Sequence, residues 1–288
     1  MMELQLFKTL WGHEGSLAEA AALCQEAGFH GIEGPVPSDR GEREAFIATL
    51  AESSLDLIAE VCTATPPGFY VPAPGATPAD HLQSLREGIE RSLPASPRFI
   101  NTMAGSDAWT FREKVDFHDA IVALEAEYGI AISVETHRGR PLNSAWIARD
   151  ILLEVPDLKL TCDFSHFVVV AERLVMDEHP DILTLCADHA FHLQTRVGYN
   201  QGPQVPDPRA PEHAGDLAAH ERWWDEVWQS QLRRGFTVST LTPEFGPDGY
   251  LHCEPFTQKP VADLWDVNRW IALRQRDRFQ ELHPDKTT

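Results

Sequence analysis

Three carboxylates and one imidazole stand at corresponding places in four successive segments of the chain. Glu135 closes IAISVE, Asp163 closes LKLTCD, His192 lies within AFHLQT, and Glu244 closes TVSTLTPE. Two carboxylates ~4 Å apart repel by about 4 kcal/mol at an effective dielectric of about 20, and a divalent cation turns that repulsion into coordination. Oxygen donors with one nitrogen suit Mn²⁺, Mg²⁺, Co²⁺ or Zn²⁺. An ion so held polarises a carbonyl, and a carboxylate beside it moves a proton at the neighbouring carbon. Each residue alone has a plainer role. Asp163 could cap a helix, Glu135 and Glu244 could be solvated, and His192, between Phe191 and Leu193, could be a core histidine. Four of them at four consecutive strand ends favour one shared site. His189, three residues before His192, competes with it as the nitrogen donor; His192 is preferred because it lies nearer the strand end.

Eight short apolar runs alternate with longer stretches of helical period. The runs are 4–10, 30–34, 56–62, 98–103, 130–135, 158–163, 190–195 and 237–244. This alternation is the mark of repeated βα units around a parallel sheet, and mostly apolar strands suit a sheet covered on both faces. Ser16 with Glu19 and Thr110 with Glu113 form capping-box pairs, Gly28 stops the first helix, and Pro141 and Pro156 bracket another at about 143–155. Eight units in 288 residues fit a single-domain α/β fold, a (β/α)₈ TIM barrel spanning 1–288, better than an open doubly wound sheet. In a barrel, the strand C-termini converge on one mouth, which is where the four residues stand. One connection breaks the rhythm: residues 198–216 hold four prolines and three glycines, a long loop expected over that mouth. The apolar face made by Trp223, Trp224 and Trp228 is expected to pack on the barrel, with a homo-oligomeric contact as the other use of such a stripe.

Composition narrows the partners. With 24 basic against 44 acidic residues the formal charge is −20, which repels phosphate backbones and anionic membranes, so neither nucleic acid nor a membrane is the expected partner. Five scattered cysteines without a C-x-x-C pair indicate free thiols in a reducing compartment. No apolar run reaches the ~18 residues of a membrane span, and the first strand begins at once with no apolar signal core, so the expected location is the cytoplasm.

The stretches VETHRGR (134–140), LTCDFSH (160–166), FHLQTR (191–196) and PEFGP (243–247) resemble the strand-end signatures of the xylose isomerase-like sugar isomerase/epimerase superfamily. That group holds ketose 3-epimerases, hydroxypyruvate isomerases, inosose dehydratases and, further off, endonuclease IV. The epimerase pattern of Glu, Asp-x-x-His, His and Glu falls here on Glu135, Asp163 with His166, His192 and Glu244. The resemblance implies that Glu135, Asp163, His192 and Glu244 bind one divalent metal, and that Glu135 and Glu244 exchange protons with substrate. Two positions depart from the pattern. Pro141 stands where the epimerases carry a second glutamate, and Gly198 stands at the place of an arginine, with Arg196 the nearest.

Several further residues stand near the expected mouth. His166 suits a hydrogen bond to a substrate hydroxyl or oxyanion, and we count it with the catalytic pair. His137, Arg138 and Arg196 follow strand ends, the arginines suiting a carboxylate or an enediolate; Arg140 is a further candidate of that kind. Glu33 closes the second strand, Asn101 and Trp109 surround the end of the fourth, and Lys8 and Trp11 that of the first. The expected function is a metal-dependent isomerase or epimerase acting on a sugar, polyol or keto-acid through an enediolate. Alternatives are a lyase on keto-sugars or inososes, an endonuclease IV-like phosphodiesterase, and a non-catalytic sugar-binding barrel. The segment GPDGY (246–250) lacks lysine and arginine, which favours an unphosphorylated substrate.

Overall fold

The computed structural model describes residues 2–66, 70–247 and 249–283. Eight parallel strands close a barrel in sequence order. They are β1 (Glu3–Thr9), β2 (Gly31–Gly34), β3 (Asp56–Cys62), β4 (Ile100–Met103), β5 (Ile132–Glu135), β6 (Lys159–Cys162), β7 (Ala190–Gln194) and β8 (Val238–Thr242). Seven of the eight expected segments contain their strand whole, and β1 begins one residue before the expected 4–10; closure rather than an open sheet follows from the pairing of β1 with β8. The helices are α1 (Leu17–Ala27), α2 (Arg40–Ser53), α3 (Pro78–Ser92), α4 (Phe111–Tyr128), α5 (Ala145–Glu154), α6 (Ser165–Ala171), α7 (Val175–Glu178), α8 (Pro180–His189), α9 (Ala214–Arg233) and α10 (Leu264–Leu282).

Local chemistry accounts for the helix ends. Ser16 and Glu19 exchange hydrogen bonds across the first turn of α1, Thr110 and Glu113 do so at α4, and both helices end on a left-handed glycine, Gly28 and Gly129. β2, β4 and β5 are buried along their whole length, as strands with helices outside and side chains inside must be. Trp223, Trp224 and Trp228 of α9 are buried, Trp228 edge-on against Phe279 of α10, so the tryptophan stripe is core of this chain.

The long connection after β7 is a packed segment. Val205 is fully buried, Tyr199 and Gly202 form an isolated antiparallel bridge, and α9 begins at Ala214. The Gln204 side chain donates to the Gly246 carbonyl at 3.2 Å and accepts from its N–H at 2.8 Å, tying the connection to the end of β8 just beyond Glu244.

One irregularity bears on the site. β6 and β7 pair Leu160 with Ala190 but Thr161 with His192, so β7 carries one extra residue at that point. All five cysteines are free. Among the described residues no helix is long and apolar enough to cross a membrane.

Candidate active site

At the C-terminal mouth of the barrel lies a cavity of about 430 Å³. Carboxylates from three strands reach it, Glu60 of β3, Glu135 of β5 and Glu244 beyond β8, together with His137 and Arg196. Trp11, Tyr70, Tyr250, Leu10 and Met103 supply an apolar wall. Two overlapping groups have potential ligand atoms within 4.8 Å of one another: Glu135 with Asp163 and Glu244, and Glu135 with His137 and His166. The structure therefore holds a potential metal-binding site centred on Glu135.

The surroundings of each carboxylate differ. Neither oxygen of Glu135 has a hydrogen-bond partner, although the residue is only 2% exposed. Asp163 is fully engaged: Oδ1 accepts from the Ser165 N–H at 3.0 Å and hydroxyl at 2.6 Å, and Oδ2 pairs with Arg196. Glu244 accepts from the Gln194 amide at 3.0 Å through Oε1, while its buried Oε2 has no hydrogen-bond partner and lies 3.4 Å from the Arg196 guanidinium. Burial raises all three carboxyls above their ordinary range. Mutual repulsion adds to this at Glu135 and Glu244, and Arg196 pulls the other way at each. His137 and His166 are pushed well below theirs, mainly by burial and further by Arg196, and so stand as neutral rings.

These free valences decide whether a divalent cation suits the site. Glu135 Oε1 and Oε2, Glu244 Oε2 and the Gln194 side-chain oxygen are all buried acceptors without a donor. Such groups cost about 1–3 kcal/mol each unless something satisfies them. The Glu135 and Glu244 oxygens line one cavity, and such carboxylate acceptors are what a hard divalent ion takes.

His192 lies elsewhere. Its Nδ1 is 2.7 Å from the Thr240 hydroxyl, its Nε2 is 3.2 Å from Glu33, and its ring packs near Phe99 just before β4. The expectation that it completes the ligand set is corrected by this placement. Inward side chains of a strand alternate, so past the irregularity β7 and its continuation present His192, then Gln194, then Arg196. Each step of two residues climbs about 6.6 Å toward the mouth. Gln194 and Arg196 reach the carboxylates; His192 stays a layer deeper. His189 is further away still, its Nδ1 2.8 Å from the Leu158 carbonyl.

Other expected residues divide in the same way. Glu33 sits beneath the cavity, taking hydrogen bonds from Asn101 at 2.6 Å and Gln194 at 3.3 Å. Burial pushes its carboxyl up, but the His192 charge and hydrogen bond, with Asn101, outweigh burial and hold it below the ordinary value. Glu33 and Asn101 are thus supports of the barrel interior. Trp109 packs edge-on against His81 and Phe117, away from the cavity lining. Lys8 donates to the Thr9 carbonyl and lies over Trp265. Arg140 is a backbone staple bonded to the carbonyls of Gly105 and Tyr70. Arg138 stacks on Tyr250 at 5.0 Å, and Trp11 lines the cavity. Within GPDGY, Asp248 lies outside the described residues.

Glu60, Gln194 and Tyr250 did not stand out in the sequence. Glu60 had a signal, an acid inside the otherwise apolar run LIAEVC (57–62). Burial, reinforced by Glu33, raises its carboxyl to about 7 from an ordinary 4.5. A raised carboxyl favours the folded state only while it holds its proton. Its contribution is complete below pH ~4.5 and is lost as pH climbs through about 7. Glu60→Gln cannot ionise. In urea unfolding measured from pH 5 to 8, the variant should lose less stability than wild type across that window, by on the order of 2 kcal/mol. Parallel pH curves would show that Glu60 titrates normally.

The sequence matches a family model described as xylose isomerase-like TIM barrel over residues 21–203. No curated protein matches it. Solved structures share the fold at low identity. One is D-allulose 3-epimerase from Methylomonas sp., in complex with D-allulose, with a TM-score of 0.63, 13% identity, and coverage of 96% of this chain and 98% of that one. Another is the probable 3-DHS dehydratase AsbF from Bacillus anthracis, at 0.57 and 15%, covering 96% and 100%. A third is endonuclease IV from Thermus thermophilus, at 0.54 and 13%, covering 97% and 99%.

Proposed function

Because the chain belongs to the xylose isomerase-like TIM barrel family, we propose that it is an isomerase or epimerase that moves a proton at the carbon next to a carbonyl of an unphosphorylated sugar or polyol. One observation carries this reading. Glu135 and Glu244 are buried in one cavity, within 4.8 Å of each other by their ligand oxygens, and each keeps an oxygen without a partner.

A divalent ion would be held by Glu135 and Glu244, the two carboxylates of the group that keep an oxygen without a partner, while Asp163 is taken up by Ser165 and Arg196. When bound it would polarise the substrate carbonyl and stabilise the enediolate. The remaining work falls to the chain. Glu244, its carboxylate steadied by the Gln194 amide, takes the proton from the carbon. Glu135 returns one: delivery to the opposite face gives the epimer, and delivery to the neighbouring carbon gives the isomer. His166 and Arg196 offer hydrogen bonds to the developing oxyanion. Trp11, Tyr70 and Tyr250 give flat surfaces for the apolar face of a sugar and exclude water. Proteins of similar fold include sugar epimerases and a probable dehydratase, and both kinds of reaction can begin with such a proton.

Solvent exchange tests the reading. Protein supplied with Mn²⁺ in D₂O is incubated with ketoses, keto-acids and inososes, and the products are read by mass spectrometry and NMR. One class is expected to gain a deuteron next to its carbonyl. Loss of a hydroxyl after exchange would move the enzyme to the lyases, and absence of exchange across all three classes would sink the proposal.

A further inference from the structure

Arg196 is set among the same residues that would hold the metal. Its Nη2 pairs with Asp163, lies 3.4 Å from Glu244 Oε2 and 2.7 Å from His166 Nε2. It thus touches a member of both groups that share Glu135. The side chain is held from every direction: Nε donates to the Ser165 hydroxyl at 3.2 Å, Nη1 to the Glu244 carbonyl at 3.3 Å, and the guanidinium lies against Tyr250 at 4.7 Å and Trp11 at 5.7 Å. It is 1% exposed. A guanidinium never gives up its charge at ordinary pH. Any metal on Glu135 and Glu244 therefore binds beside a fixed positive charge, and both Asp163 oxygens are already taken.

We infer that Arg196 is a built-in competitor of the divalent ion: it serves as the counter-cation of Asp163, keeps that carboxylate from the metal, and sets a low affinity for the ion on Glu135 and Glu244. This rests on the metal reading above and makes it more specific. The same arginine then limits which metals are retained, since an ion held by two carboxylates beside a guanidinium is easily exchanged.

The test is metal binding itself. Chelator-treated protein is titrated with Mn²⁺ alone, by calorimetry and by the EPR signal of free Mn²⁺. Arg196→Gln removes the charge and frees Asp163, and it should bind Mn²⁺ about 100-fold tighter than wild type, which is about 2.7 kcal/mol at 1.36 kcal/mol per decade. A variant that folds only when Mn²⁺ is added supports the same conclusion, the metal having replaced the guanidinium. If Arg196→Gln folds under neither condition, Tyr250→Leu decides: loosening one side of the clamp should tighten Mn²⁺ binding about 3- to 10-fold, of the order of a cation–π contact. Arg196→Gln binding Mn²⁺ no tighter than wild type, or Tyr250→Leu unchanged where it must decide, overturns the inference. Proton exchange is scored separately. Metal affinity that rises as expected in a protein exchanging no substrate proton would sink the proposed function and leave this inference standing; the reverse result would do the opposite.

Discussion

Glu244→Gln should leave the barrel folded and slow substrate proton exchange by about 10²- to 10⁴-fold, the range in which a positioned general base contributes. The substitution preserves shape and keeps an oxygen that can accept from Gln194, so the 3.0 Å contact that orients the side chain can survive. What disappears is the ability to take a proton, together with one of the carboxylate charges that would hold the ion, so the variant is assayed at saturating Mn²⁺. The loss should fall on kcat with KM little changed, because an amide still fills its part of the cavity while the transition state loses its base. Deuterium incorporation per turnover is the readout. A variant exchanging at more than about a tenth of the wild-type rate would mean that Glu244 is not the base, and attention would pass to Glu135 or Glu60, the other carboxylates lining the cavity.

The second large effect is on stability. Asp163→Ala should cost about 3–5 kcal/mol, because it leaves Arg196 buried without the carboxylate that matches its charge. Asp163 is completely buried, and Ser165 loses the acceptor for both its N–H and its hydroxyl in the same step. Glu244 Oε2, 3.4 Å from the guanidinium, compensates only in part. Urea unfolding of the variant, set beside Asp163→Ala with Arg196→Met, separates pairing from packing. The double variant removes both charges and should recover stability relative to Asp163→Ala alone. A cost under about 1 kcal/mol for the single variant, or no recovery in the double, would show that the pair is weakly coupled despite its burial.

Both expectations concern residues that could be picked out from the chain alone, for a physical reason. Strand and helix periodicity, caps and stop signals are properties of neighbours in sequence, so the eight βα units and their order could be read locally. Glu135, Asp163 and Glu244 sit at or just beyond the ends of β5, β6 and β8, and a barrel requires such positions to share a mouth. Closure then brings them together whatever the details of packing.

β7 shows where that reasoning stops. The inward residues of β7 and its continuation are His192, Gln194 and Arg196, and their types alone favour the histidine as a ligand. Which of them reaches the carboxylates depends on an extra residue opposite β6, and that irregularity arises from pairing between strands, with no mark in the local sequence. His192 finds its partner in Glu33, 159 residues away, and Arg196 finds Asp163, 33 away. Long-range charge pairing of this kind also separates Glu33, held ionised in the barrel interior, from Glu60, raised to about 7 at the mouth. The chain by itself determined that a barrel forms and that three carboxylates meet, because both follow from local pattern and the rule of strand ends. Tertiary structure decided depth, partner and charge balance, because those depend on how far each side chain reaches across a closed interior and on which opposite charge it meets there.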